Sequence, residues 1–291
     1  MPFEPPTIAV IFDFDDTLAP DTTTLLLRRH GIDPDVFWLK DVKSMMLGGY
    51  DPTLAYLNKF LSLVGDGLPL GKLTVSDLTT FGATLDDQFY HGIPDLFEEL
   101  RAIVDEYKLQ IEFYMISGGL QHIIEGSKVV TKYFRAVYAC ELCGDTPNGP
   151  LKHIKRCVNF TEKTRYLFEI NKGIDPKVSR TSPYSVNEKK DKRRIPFANM
   201  IYIGDGLTDV PSFSLVKKGI GEPGGGGTVF GVFDPKKTGS PKQALQKYLM
   251  PERVFSVHSP AYGKDEDLGS LIIACVARIC SAITTGPAEA E

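Results

Sequence analysis

Four stretches of the chain are apolar in near-continuous runs rather than at alternate positions: TIAVIF (7–12), IEFYMIS (111–117), AVYAC (136–140) and MIYIG (200–204). Such runs predict strands buried on both faces, the habit of a parallel sheet. Helical periodicity lies between them. In IPDLFEELRAIVDEY (93–107), residues Ile93, Leu96, Phe97, Leu100, Ile103 and Val104 share one helix face, and Pro94 stands in the first turn. Strands alternating with helices predict an α/β fold built on an open parallel sheet with helices on its flanks.

The alternation is interrupted from about 19 to 91, which contains no strand-like run. Four helices are expected there, beginning after Asp21, after Pro34, after Pro52 and after Thr74 or Ser76, each at a cap residue or a first-turn proline. Gly31, Gly48 with Gly49, and Gly65 with Gly67 are natural stops. The pattern divides the chain into a core of 1–18 and 92–291 and a small all-helical insertion of 19–91 over the sheet edge. Asn148-Gly149 predicts a hairpin turn within 140–155. The polar segment 175–194 reads as an extended surface loop.

Composition narrows the class. The 291 residues suffice for about two domains. Thirty-three Lys and Arg against 37 Asp and Glu give a net charge of −4, which argues against a general nucleic-acid binder. The most apolar late stretch, LGSLIIACVARIC, falls short of the ~20 residues of a membrane span and carries Arg278. The N-terminus lacks the basic and apolar regions of an export signal. Five cysteines without framework spacing read as free thiols, so a cytoplasmic location is expected.

Chemistry concentrates where the strands end, the place at which open α/β sheets bind ligands. The first strand runs into Asp13-Phe14-Asp15-Asp16-Thr17-Leu18, whose clustered carboxylates repel one another unless a cation offsets them. Closely spaced oxygens with retained water suit Mg²⁺. The second strand ends in Ser117-Gly118-Gly119 before a helical pattern, a hydroxyl and backbone N–H cradle suited to phosphate. Lys163 lies near the start of another helix. The strand at 200–204 ends in Gly204-Asp205-Gly206-Leu207-Thr208-Asp209, bringing two more carboxylates to the same edge.

In order and position these four elements resemble the motifs of the haloacid-dehalogenase-like hydrolase superfamily: DxDxT, a strand-ending Ser, a helix-borne Lys, and GDGxxD. The resemblance covers about 7–18 and 92–235, and its wording is closest to phosphoserine-phosphatase-like members, with the helical insertion where the superfamily carries a cap. It implies a Rossmann-like core and a Mg²⁺-dependent phosphohydrolase acting on a small phosphorylated metabolite. It further implies Asp13 as nucleophile and Asp15 as acid and base. Lys163 would balance charge, and Asp209 would orient Lys163 or a metal-bound water. Ser117 and the Gly118 N–H would hold phosphate, and Asp13, the Asp15 carbonyl and Asp205 would hold the metal.

Where phosphoserine phosphatases carry a Glu nine residues after the nucleophile, this chain has Thr22, with Asp21 one residue off, which disfavours phosphoserine itself. Asp21, Arg28, Arg29, Lys40, Lys43 and Tyr50 are the insertion residues that could face a cleft. A phosphotransferase of the same fold, or a catalytically silent sensor of a phosphorylated ligand, are the rival readings. Oligomeric state is not legible. Past 235 the resemblance thins, although RVFSV (253–257) reads as an edge strand.

Other signals weigh less. Cys140, Cys143, His153 and Cys157 have a spacing that zinc could use, but Cys140 ends a buried strand and the second half of the pattern is irregular. The run Lys189-Lys190-Asp191-Lys192-Arg193-Arg194 reads as a solvated loop in an acidic chain. The glycines from Gly221 to Gly227 lack the Lys-Ser/Thr of a phosphate loop and read as a turn.

Overall fold

A computed structural model describes residues 5–190, 192–219, 222, 224–235, 245–249 and 251–285. Asp191 of the basic run, Gly221 and Pro223 of the glycine-rich turn, and both ends of the expected core lie outside the described residues.

The apolar runs become strands, each near its expected place: β1 (Thr7–Phe12), β2 (Gln110–Leu120), β3 (Phe134–Cys143) and β5 (Met200–Gly204). With β4 (His153–Arg156), β6 (Thr228–Val232) and β7 (Ser256–His258) they form one seven-stranded sheet, ordered β4-β3-β2-β1-β5-β6-β7. All neighbours run parallel except β4, which returns antiparallel on β3 as the predicted hairpin. The expected edge strand exists as β7, shifted by a few residues from 253–257. The fold is α/β with a Rossmann-like parallel core.

β1 is central and buried at every position, because both faces of the sheet are covered. Ile8, Val10 and Phe12 pack on one side, and Ala9 and Ile11 on the other, as the two-residue period of a strand requires. The side chains of Ile8, Val10 and Phe12 meet Leu96, Phe97, Leu100 and Val104, and also Ile272 and Val276 farther along the chain. The first four belong to the helix predicted at 93–107, observed over Asp95–Glu106.

The insertion folds as four helical pieces. They are α1 (Thr22–Arg29), a π-helical stretch (Val36–Val42) running into α2 (Lys43–Leu47), α3 (Pro52–Leu61) and α4 (Val75–Gly82). Asp21 and Thr74 are caps the sequence announces, and Asp51 is a further one just ahead of the expected first-turn Pro52. Asp21 accepts from the Thr24 N–H, Asp51 accepts from Thr53 and Leu54 with Pro52 behind it, and Thr74 and Asp77 form a capping box. Leu26, Phe37, Leu57 and Phe60 join the same apolar cluster as Ala9 and Ile11, so the insertion shares the core's packing rather than hanging from it.

After α5 (Asp95–Glu106), the helix expected beyond Ser117-Gly118-Gly119 is two short ones, α6 (Gln121–Ile124) and α7 (Lys128–Tyr133). The break allows a close approach. A Cβ on Gly82 would lie 1.9 Å from the Ile123 carbonyl oxygen, and one on Gly126 2.3 Å from that of Thr79. α4 is thereby pressed onto α6, which ties one end of the insertion to the sheet.

The segment 175–194 is not extended. α8 (Phe160–Lys172) is followed by α9 (Pro176–Thr181) and a 3-10 turn (Pro183–Asn187). Polar anchors hold it down: Ser179 bonds the buried Glu169, Arg180 meets Glu125 at 2.6 Å, and Arg194 grips Glu112 with two bonds of 2.7 Å. Segment polarity signalled a loop, whereas these ion pairs were not visible in the linear order.

α10 (Val210–Lys218) follows β5, and α11 (Asp267–Thr285) closes the described chain. At 19 residues α11 is longer than the apolar stretch suggested, and among the described residues it is the one helix long and apolar enough to cross a membrane. Leu268, Ile272, Val276 and Ile279 of α11 are buried in the cluster that also holds α5 and the sheet.

Candidate active site

Asp13 is the first residue beyond β1. Its N–H donates to the Ile203 carbonyl at 2.9 Å, which prolongs the β1–β5 ladder, and its Oδ1 accepts from the Phe14 N–H at 2.7 Å. Its Oδ2 accepts from Lys163 Nζ at 2.8 Å. Lys163 sits in the first turns of α8, a helix started by Asn159, whose side chain accepts from Thr161 and Glu162. The ammonium is fully buried and also donates to Asp209 Oδ1 at 2.7 Å.

Burial opposes that charge, but Asp13 and Asp209 outweigh it and hold the Lys163 ammonium above its ordinary range. Asp209 is itself pushed up to about 6, first by burial, with Lys163 working against the shift and Asp13 adding to it. Its oxygens are fully engaged. Oδ1 also accepts from the Tyr202 hydroxyl at 2.7 Å, and Oδ2 accepts from the Gly206 N–H at 2.9 Å.

Asp205 follows β5 and stands next to this group. Ligand oxygens of Asp13, Asp205 and Asp209 lie within 4.8 Å of one another. Burial, then the charges of Asp13, Asp209 and Asp16, drives the Asp205 carboxyl well above its ordinary range. One ammonium among three recessed carboxylates leaves negative charge uncompensated. Hard oxygen donors at this separation fit a small divalent cation. Asp209 accepts three hydrogen bonds, from Lys163, Tyr202 and Gly206, whereas Asp13 accepts one on each oxygen and lines the cavity with Asp205, so Asp13 and Asp205 keep the more open lone pairs for such an ion.

Asp15 faces another way. Its Oδ1 accepts from the Thr22 N–H at 2.7 Å and from the Thr22 hydroxyl at 2.8 Å. A Cβ on Gly119 would lie 2.2 Å from Asp15 Oδ2, so the glycine makes room for that carboxylate. Burial, then the charge of Asp21, raises the Asp15 carboxyl well above its usual value. Ser117 is buried, and its hydroxyl accepts from the Gly119 N–H at 3.1 Å. Asp13, Asp15, Ser117, Gly118 and Asp205 all line one cavity of about 350 Å³, and Lys163 and Asp209 stand directly behind it.

The insertion lines the opposite side of that cavity, with residues other than those expected. Asp21 is present, but Arg28, Arg29, Lys40, Lys43 and Tyr50 are exposed and line no part of it. The lining is Trp38, Val42 and Met46, spaced by four along the π stretch and α2, with Pro52, Thr53 and Tyr56 of α3. The Tyr56 hydroxyl donates to the Gly118 carbonyl at 2.5 Å, and its ring lies 5.6 Å from that of Trp38. Tyr56, Tyr202 and the contact of Thr22 with Asp15 escaped the sequence reading. Tyr202 was one apolar letter in a strand, and Thr22 was noticed only as a missing Glu.

The four possible zinc ligands do not converge as a set: Cys140 and Cys157 meet, but no third one joins them among the described residues. His153 Nε2 lies 2.7 Å from Asp145 Oδ1, and Cys140 Sγ accepts from the Val158 N–H at 3.2 Å. Among the described residues the three-ligand cluster is that of Asp13, Asp205 and Asp209.

No protein-family model matches the chain. The chain is 34% identical over 233 residues to an uncharacterized protein of Borreliella burgdorferi, a match covering 72% of this chain and 78% of that protein. Among solved structures it is similar to a HAD family hydrolase of Salmonella enterica subsp. enterica serovar Typhi. The TM-score is 0.53 and the identity 16%, over 88% of this chain and 68% of the other. The chain thus belongs to one family with the Borreliella burgdorferi protein, and its core has the haloacid-dehalogenase-like fold.

Proposed function

We propose that the chain is a Mg²⁺-dependent phosphohydrolase that cleaves a small phosphate monoester through an aspartyl-phosphate on Asp13. The observation that carries this reading is the Lys163 ammonium shared by Asp13 Oδ2 and Asp209 Oδ1 behind a cavity that also holds Asp15, Ser117 and Asp205. Asp13, Asp205 and the Asp15 carbonyl would hold the ion. Bound there, Mg²⁺ supplies charge neutralisation that lets a carboxylate approach a phosphate dianion.

Asp13 Oδ attacks phosphorus in line, and the bond to the leaving alcohol breaks as the new bond forms. Lys163 balances the charge spread over the phosphoryl oxygens, held in place by Asp209. Ser117 and the Gly118 N–H grip those oxygens. Asp15, whose carboxyl is held above its usual range by burial and then by the charge of Asp21, gives a proton to the departing alkoxide. It then takes one from the water that cleaves the aspartyl-phosphate. Residues 19–91 serve as a cap that narrows the cavity and excludes bulk water.

The Ser117-Gly118-Gly119 and GDGLTD wording supports placement near the phosphoserine-phosphatase-like branch, while Thr22 bonded to Asp15 argues against phosphoserine as substrate. Five free cysteines support a cytoplasmic setting.

The test is phosphate release from a panel of phosphorylated metabolites, with Mg²⁺ and with EDTA. Release that requires the metal is expected. Tight binding of a phosphorylated ligand with no release would instead mark a silent sensor, and phosphate passed to an added alcohol would mark a transferase. A Gly119→Ala substitution places a methyl on Asp15 Oδ2, so kcat should fall by about 10²-fold or more while metal affinity holds. Unchanged turnover in that variant would remove Asp15 from the proton-transfer role.

A further inference from the structure

The hairpin register brings two cysteines together behind the cavity. Glu141 of β3 pairs with Arg156 of β4 as the last pair of this antiparallel ladder, and Cys140 and Cys157 are the residues next beyond it, joined by a thiol–thiol hydrogen bond. Directly opposed residues have Cα atoms about 4.5–5.5 Å apart with side chains on one face, a separation a disulfide spans without backbone movement. Local contacts agree with that placement. The N–H of Val158, next in sequence to Cys157, donates to Cys140 Sγ at 3.2 Å, and Cys157 packs against the cluster that contains Cys140.

The two thiols differ in character. Cys140 is fully buried, whereas Cys157 reaches partway to solvent. A hydrogen bond from Cys140 holds the Cys157 thiol below its ordinary range, while burial pushes Cys140 up. The pair therefore offers an accessible thiol with thiolate character beside a sequestered partner. Cys140 also touches the hydroxyl of Tyr56, which bonds the Gly118 carbonyl and whose ring lies tilted against that of Trp38.

We propose that Cys157 and Cys140 form a reversible redox-modification site, taking a peroxide as oxidant and closing to a disulfide that is sensed at the cavity through Tyr56. The Cys157 thiolate attacks one oxygen of hydrogen peroxide, the O–O bond breaks, and the departing hydroxide takes a proton to become water. Cys140 then attacks the Cys157 sulfenic sulfur, an S–S bond replaces S–O, and the Cys140 proton leaves with the hydroxide as a second water. Two thiols lose two electrons in total and one peroxide gains them. A dithiol reverses the change.

The reduced full chain is treated with hydrogen peroxide, its remaining thiols are alkylated, and unreduced peptides are mapped by mass spectrometry. The expected result is a Cys140–Cys157 link that dithiothreitol reverses, with Cys143, Cys275 and Cys280 alkylated. Emission from Trp38, the sole tryptophan, should change in step with the link in the wild type and stay constant in Cys157→Ser. Cys157 oxidised to sulfinic acid without a link, linked to another cysteine, or alkylated as freely as before would overturn the assignment. A link formed with no change in Trp38 emission would overturn its coupling to the cavity. Neither readout depends on phosphatase activity.

Discussion

Asp13→Asn should lower kcat for phosphate release by on the order of 10⁴-fold or more while leaving the fold intact. The amide keeps the size of the carboxylate and can still accept the Phe14 N–H, and Lys163 retains its 2.7 Å bond to Asp209. In the proposed mechanism, what disappears is the anionic oxygen that would attack phosphorus, together with one carboxylate that would face the metal. Turnover measured with saturating Mg²⁺ and a small monoester checks this, with circular dichroism to verify the fold. Wild-type turnover in the variant would mean that the chemistry runs through another group.

Lys163→Met should be costly in two ways. Without the ammonium, Asp13 and Asp209 remain as uncompensated buried carboxylates, and breaking a buried ion pair from one side costs about 3–5 kcal/mol. Phosphate release should also vanish, since no other side chain donates to Asp13 Oδ2 among the bonds described.

The pH dependence has a definite sign. In the wild type, Lys163 has a raised folded-state pKa. Its contribution to stability is therefore fully present below the unfolded lysine value of about 10.4 and is lost only as pH rises through the folded value. In the variant, Asp209, already at about 6 against Lys163's opposing pull, should rise further. A carboxyl raised in the folded state binds its proton there first, so the variant should lose stability as pH climbs from about 4 to above 6. Urea unfolding in EDTA at pH 5 and pH 8 reads this, and a variant more stable at pH 8 would contradict it.

Much of this architecture was legible because it rests on local rules. Short β-branched apolar runs such as TIAVIF and MIYIG read as strands covered on both faces, and the caps Asp21 and Thr74 and the first-turn Pro52 mark their helices whatever the tertiary setting. The positions of Asp13 and Asp205 followed from strand ends, since a parallel sheet brings all its carboxyl ends to one edge, whereas Ser117 lies within β2, which runs on to Leu120 through an irregularity in its pairing with β3. Lys163 was the harder case. Nothing in TEKTRYLFEI separates a buried ammonium from a solvated one until α8 is laid against β1 and β5.

The insertion's contribution was the least legible. Helical periodicity tells which residues avoid water, but not that a cavity is among the places they can go. Trp38, Val42 and Tyr56 carry no signal in the sequence that marks them for a cavity, whereas the charged candidates Arg28, Arg29, Lys40 and Lys43 turned out to be the wet face. The anchoring of 175–194 was illegible for a related reason: Glu112 and Arg194 lie 82 positions apart, and only the fold makes them partners.

The most direct test uses Asp15→Asn with p-nitrophenyl phosphate, whose leaving group departs without needing a proton. Transfer to Asp13 should proceed, but the water that clears the acyl phosphate has lost its base. Acid-quenched protein, digested and mapped by mass spectrometry, should carry phosphate on the peptide containing Asp13, in Mg²⁺ and not in EDTA. Nitrophenol should appear as a burst of one equivalent followed by a slow phase. Steady release without any phosphorylated peptide, or phosphate located on a different residue, would contradict the account.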